Sequence, residues 1–180
     1  MGILVLIIIF LGGLFGFGSE SASSSPATVA TVEMSSDTAY ADDCAVDGMG
    51  VRVSAVGDWK VTVVPETLAE PWTTYLGDDA TPYTMSQGDV QVAAAVLYEE
   101  QSDLSGYDLV FVAYTDADGV HRVFVDAAID QSGDPAPDDA TCVAVEPLGI
   151  NVADGGEDYF DATINLDTHE VESFNFHGQA

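Results

Sequence analysis

Apolar side chains return at every second position through several stretches of this chain, and that period decides what the chain can become. Val51, Val53 and Ala55 alternate with Arg52 and Ser54. Trp59, Val61 and Val63 alternate with Lys60 and Thr62, and Gly57-Asp58 stands between the two runs as a turn. A period of two sends one set of side chains to one face of a strand and the other set to the opposite face. Val90, Val92, Ala94, Val96 and Tyr98 read as a longer strand of the same kind. Residues 107–115 are apolar on both faces and predict a central strand. Asp116-Ala117-Asp118-Gly119 then turns the chain into a strand over 120–128, a hairpin signal. A short strand over 141–146 surrounds Cys142, and Phe160, Ala162, Ile164 and Leu166 alternate with polar partners. Asp167-Thr168 turns into a last strand over 170–176. With 28–34 the count reaches about eight to ten short strands, separated by turn signals every ~8 to 15 residues. No amphipathic helix longer than about two turns is expected after residue 20, although Leu68 and Ala69 fit a single turn between Pro65 and Pro71. The expected fold is all-β: a single antiparallel β-sandwich or jelly roll, preceded by a short apolar N-terminal helix.

The coat on this framework is almost entirely acidic. Arg52, Lys60 and Arg122 are the only Lys or Arg among 180 residues, against 31 Asp and Glu, for a formal net charge of -28. Such a surface repels itself at ordinary ionic strength and works against the compact state. At about 1 M salt the Debye length falls to about 3 Å and the repulsion is screened. The simplest expectation is a protein adapted to concentrated brine. Disorder is not expected, because 47% of the chain is hydrophobic, which an acidic disordered tail lacks. A direct nucleic-acid partner is not expected either, since nothing here neutralises phosphates. An acidic calcium-binding protein is the alternative.

Three materials follow one another along the chain. Residues 1–18 are apolar or Gly with no charge apart from the terminus, and a helix of about 15 to 18 residues reaches roughly 22 to 27 Å, a little short of a ~30 Å hydrocarbon core. A membrane-anchor or assembly helix is the first reading, carried by Ile3, Leu6, Phe10, Gly12 and Gly16. The spacing of Gly12 and Gly16 allows close helix approach in a membrane. A cleaved secretory signal is the second reading: Ser19 and Ser21 suit cleavage, but the basic start is missing. A pilin-like helix is the third. Residues 19–27 form a Ser-rich linker, and 28–180 form the all-β domain.

Chemistry-bearing clusters are sparse. Cys44 and Cys142 lie in similar contexts and are candidates for a disulfide, with two buried free thiols as the alternative. The histidines His121, His169 and His177 share no ligand spacing. Placing Gly119 at the sixth position of an EF-hand loop puts Tyr114 first and Val125 twelfth, so that motif fails. Asp154, Glu157 and Asp158 are the candidates for a hydrated cation, set against a plain solvated loop. No nucleophile elbow, phosphate loop or Cys/His pairing marks a catalytic centre, and no cofactor is implied. Trp72, Tyr75 and Tyr83, together with Phe174 and Phe176, are either a packing surface for a neighbouring subunit or ordinary core.

The apolar start, the strands from residue 28 to 176, the acidity and the length together resemble the small single-β-barrel (jelly-roll) capsid proteins of haloarchaeal viruses with an internal membrane. The resemblance spans the whole chain and rests on no diagnostic motif. It implies a non-enzymatic structural subunit of a virion, whose partners are copies of itself or a related subunit and a lipid membrane reached through residues 1–18. It assigns no residue a function. The alternatives are a membrane-anchored cell-surface binding module and a pilus-like filament subunit of a halophilic archaeon. Each places the protein in a virion or cell envelope facing a high-salt medium.

Overall fold

The computed structural model describes residues 44–180 apart from 46, 56–58, 105, 138, 150–154 and 178–180. The apolar helix, the linker, the strand expected over 28–34, the Gly57-Asp58 turn and Asp154 lie outside the described residues.

The chain runs through β1 (Gly50–Ser54), β2 (Lys60–Val63), α1 (Thr73–Leu76), β3 (Thr81–Tyr83), α2 (Gln87–Glu100), β4 (Tyr107–Thr115), β5 (His121–Ile129), β6 (Thr141–Val143), β7 (Gly156–Asn165) and β8 (Glu170–His177). Two single 3-10 turns, Glu66–Leu68 and Glu70–Trp72, precede α1. The strands form one mixed sheet in the order β6-β1-β2-β4-β5-β7-β8. β2 and β4 are parallel, and the other pairs are antiparallel. β3 pairs with residues 113–115 of β4, beyond the stretch 108–111 that pairs with β2.

The expected hairpin at 116–119 is present. Asp116 Oδ1 accepts hydrogen bonds from the Asp118 and Val120 amides, both at 2.9 Å, and Gly119 takes a φ of 82°, which a glycine adopts without a Cβ penalty. The all-β expectation holds in its coarse form, a fold made mostly of strands, while the parallel β2–β4 pair makes the sheet mixed where an antiparallel one is expected. The described strands lie in one sheet, and the layer over one of its faces is a helix.

That helix corrects the strand expected at 90–98. Val90, Ala93, Ala94 and Leu97 are fully buried and stand at i, i+3, i+4 and i+7, so the segment satisfies a helical stripe as well as a period of two. The cap decides between them. Ser86 Oγ accepts from the Asp89 amide at 3.1 Å, and the Asp89 carboxylate accepts from the Ser86 amide at 2.9 Å. This reciprocal capping box starts a helix, and three successive alanines favour its continuation. α2 runs for 14 residues, longer than the two turns expected.

Register and period of two sort the sheet into two faces. Ala113 pairs with Val123 and Val123 with Ile164; Phe111 pairs with Val125 and Val125 with Ala162; Leu109 pairs with Ala127 and Ala127 with Phe160. These rows form a first face that packs against α2 together with Val51, Val53, Trp59, Val61 and Val63. Full burial of each such large side chain contributes roughly 1.5 to 3 kcal/mol. Val110, Val112, Tyr114 and Phe124 alternate onto the second face, where Val64, Ala69, Trp72 and Leu76 of the 64–76 segment cover them.

Candidate functional site

Three cations must serve 31 acids, and the alternation that buries the valines puts all three on the second face. Arg52 sits across from Thr62 on β2 and donates from Nε to its Oγ1 at 3.3 Å. Lys60 sits across from Asp108 on β4. Its ammonium bonds Asp130, just past β5, and lies 3.5 Å from Asp108, which Arg52 also approaches at 3.8 Å. Lys60 is 6% exposed and its Asp130 partner 10%, so this pair is held out of bulk water. The Lys60 hydrogen bond, with help from Ser132, holds the Asp130 carboxyl well below the usual carboxylate range.

Arg122 forms the second ionic group. It pairs with Asp116, and its guanidinium grips Glu172 with Nε at 2.7 Å and Nη2 at 3.2 Å. That fork lowers the Glu172 carboxyl and raises the guanidinium. Asn165 also donates to Glu172, at 2.8 Å. All three Lys and Arg side chains thus have carboxylate partners, on other strands of the sheet or in the segments that join them.

Between these groups lies a carboxylate with no basic partner in its hydrogen bonds. Asp126, in the middle of β5, is 0% exposed. It accepts from Trp72 Nε1 at 3.0 Å, the Leu148 amide at 2.8 Å and the Gly149 amide at 2.7 Å. Three donors satisfy a buried acid without a cation, and they tie the 66–76 and 144–149 loops onto the second face. A Cβ at Gly149 would meet Tyr159 Cδ1 at 2.9 Å and the Ala127 carbonyl at 3.2 Å, so the close approach that delivers its amide requires glycine.

Elsewhere the polar groups also hold the fold. Cys44 and Cys142 are joined by a disulfide, with their Cα atoms 5.3 Å apart, which fastens β6 to the start of the described region. His121 Nδ1 lies 3.3 Å from Asp167, and His177 Nε2 lies 2.9 Å from Asp161. The Asp167 carboxyl is lowered chiefly by the His121 amide that donates to it. His169 occupies the β7–β8 turn with a φ of 59°. Glu157 and Asp158 are exposed at the start of β7. Among the described residues no three His, Cys, Asp or Glu side chains gather as metal ligands. A shallow depression of about 490 Å³ between α2 and the β7–β8 turn is lined by Val96, Glu99, Glu100, His169, Glu170 and Val171. It holds carboxylates and an imidazole, with no hydroxyl or thiol among its lining groups.

The aromatic residues divide. Trp72 is fully buried, while Tyr75 is 45% exposed and stacks on Phe124 with ring centres 6.1 Å apart. Tyr83 stands edge-on to His121, and burial pushes its hydroxyl above the ordinary range. Phe174 stacks on Phe160 at 4.7 Å, and Phe176 meets both rings edge-on. These two side chains extend the first-face core toward the edge of the sheet.

Among the described residues no helix is long and apolar enough to cross a membrane. No protein-family model, curated protein or solved structure matches the chain.

Proposed function

We propose that this chain is a non-enzymatic structural assembly subunit working in concentrated salt, as a coat protein of a membrane-associated virus of a halophilic archaeon. Residues 1–18 would face lipid and the sheet domain the brine. One observation carries the reading: each of the three Lys and Arg side chains is held in ion pairs on one face of the sheet, so the remaining acids form a net anionic coat. Asp126 and the Lys60–Asp130 pair, all held largely out of water, secure loops and strands. That use of buried polarity suits a rigid building block.

The jelly-roll form of the proposal requires a second sheet facing the first. A density map of the intact assembly tests that form.

Purification of particles from an infected halophilic culture tests the function. Recovery of the chain in virions together with lipid is the expected result. Its absence from every particle, with recovery from cell envelopes, would replace this reading with a cell-surface protein. Long polymers that survive detergent only while residues 1–18 are present would replace it with a filament subunit.

A further inference from the structure

The two outer strands of the sheet differ in kind. β6 spans three residues and is fastened by the disulfide. β8 spans eight, and among the described residues no strand pairs with its outer edge. An open edge of that length offers a row of backbone N–H and C=O groups to another strand. β8 contains neither Pro nor Lys, two residues that commonly block such pairing. Its side chains also sort by face. Val171, Phe174 and Phe176 pack against the first-face core. Glu172, Asn175 and His177 lie on the second face, where they bond Arg122 and Asp161.

We propose that β8 pairs antiparallel with β8 of a second copy, so that two sheets join across a twofold axis. This contact rests on the assembly reading and names where subunits meet. The strand is self-complementary in this arrangement. With the axis between Ser173 and Phe174, Glu170 stands opposite His177 of the second copy, Val171 opposite Phe176, and Glu172 opposite Asn175. All eight residues pair, and no carboxylate faces a carboxylate, on a chain whose net charge is -28. The polar pairs fall on the second face and the Val171–Phe176 pairs on the first. Only the central Ser173–Phe174 pairs mix faces, because β8 carries one extra residue, Glu172, against β7. A one-residue slip one way sets Glu170 opposite Phe176 and Glu172 opposite Phe174, and the other way sets Glu172 opposite Phe176 and Val171 opposite His177; both put acids against rings and mix the faces.

Cysteine cross-linking of the full chain in molar salt tests the contact. The double variant Glu170→Cys/His177→Cys sets two thiols opposite each other across the axis. Within one chain those positions are about 23 Å apart along the strand, too far to bond. Mild oxidation is expected to double the apparent mass of the double variant on a non-reducing gel and to leave each single variant a monomer. A monomeric double variant with native circular dichroism overturns the contact. So does equal cross-linking of the single variants, which would show association without this register. If the double variant fails to fold, hydrogen exchange of the unaltered chain decides. Outward-facing β8 amides, those not bonded to β7, that lose protection on dilution support the contact, and outward-facing amides protected in a monomer at every dilution overturn it, because another segment then covers the edge. Recovery in virions without the cross-link overturns the edge contact alone. A cross-linked dimer that never enters a particle overturns the assembly reading alone.

Discussion

The first face of the sheet and the second face are built from the same strands and held by different physics. On the first, Phe160, Phe111, Val125 and their neighbours meet α2, while the buried polar residues Lys60, Thr62, Asp126 and Asn165 all lie on the other face. On the second, an apolar cluster around Trp72 and Phe124 is joined by Lys60, Arg122 and Asp126, which anchor strands and loops through ion pairs and hydrogen bonds. Apolar burial needs no counter-ion and is strengthened when salts are excluded from the surface. Charge pairs respond to pH, and their exposed members respond to salt. One molecule therefore carries a purely apolar layer and a layer that also holds titratable pairs, separated by the thickness of a single sheet.

Substitutions on the two faces should consequently differ in signature as well as in size. The largest effect is expected on the first face. Phe160→Ala removes a fully buried ring that contacts Tyr107, Phe174 and Phe176, and should destabilise the domain by roughly 4 kcal/mol at any pH between 5 and 8. Urea unfolding in molar salt measures this. A loss that varied with pH would break the division between the faces.

Asp130→Ala comes next. It leaves the Lys60 ammonium nearly buried with Asp108 at 3.5 Å as its remaining carboxylate, at a loss of about 3 kcal/mol. The pH dependence has a definite sign. The Asp130 carboxyl titrates lower in the folded chain than its unfolded value of about 3.9, so its contribution is complete above that value. It declines as pH falls from about 4 toward the folded value, so the variant should approach the parent in stability under acid. A constant difference between the two from pH 7 to pH 3 would contradict the assignment.

Trp72→Phe should cost about 2 kcal/mol, because Asp126 loses one of three donors while the apolar packing is largely kept. Trp72→Leu, which also loses the donor, should fall further through packing. Proteolysis within 66–76 reports whether that loop has come loose. The smallest effect is expected from Glu172→Gln. Its carboxyl is 35% exposed, and loss of the Arg122 fork should cost less than about 1 kcal/mol. The cost should shrink further as salt rises.

Much of this division was legible in the sequence. Val51, Val53, Val61 and Val63 advertised their face by alternation, and the same alternation put Arg52 and Lys60 on the other. The run at 90–98 misled because Val90, Ala94 and Tyr98 fit both periods. Ser86 and Asp89, three residues apart just before it, were the signal that identifies a helix. The partners of Lys60 could not be read at all, since Asp130 lies seventy positions away and is one acid among 31. Asp126 gave a fainter clue, as a single carboxylate inside the apolar run Phe124-Val125-Asp126-Ala127. A lone acid in a central strand needs donors brought by other segments, and only the folded chain shows that Trp72 and Gly149 bring them. For the cysteines the spacing left bond and free thiols both open, and the structure joins them.

On the proposed function, the anionic coat over this sheet needs concentrated salt. Circular dichroism and urea unfolding of the intact chain, compared at about 3 M and ~0.1 M salt, decide this. The predicted result is a folded, cooperative domain in high salt and a loosened or unfolded chain in low salt. An identical spectrum and an identical unfolding midpoint under both conditions would contradict the claim.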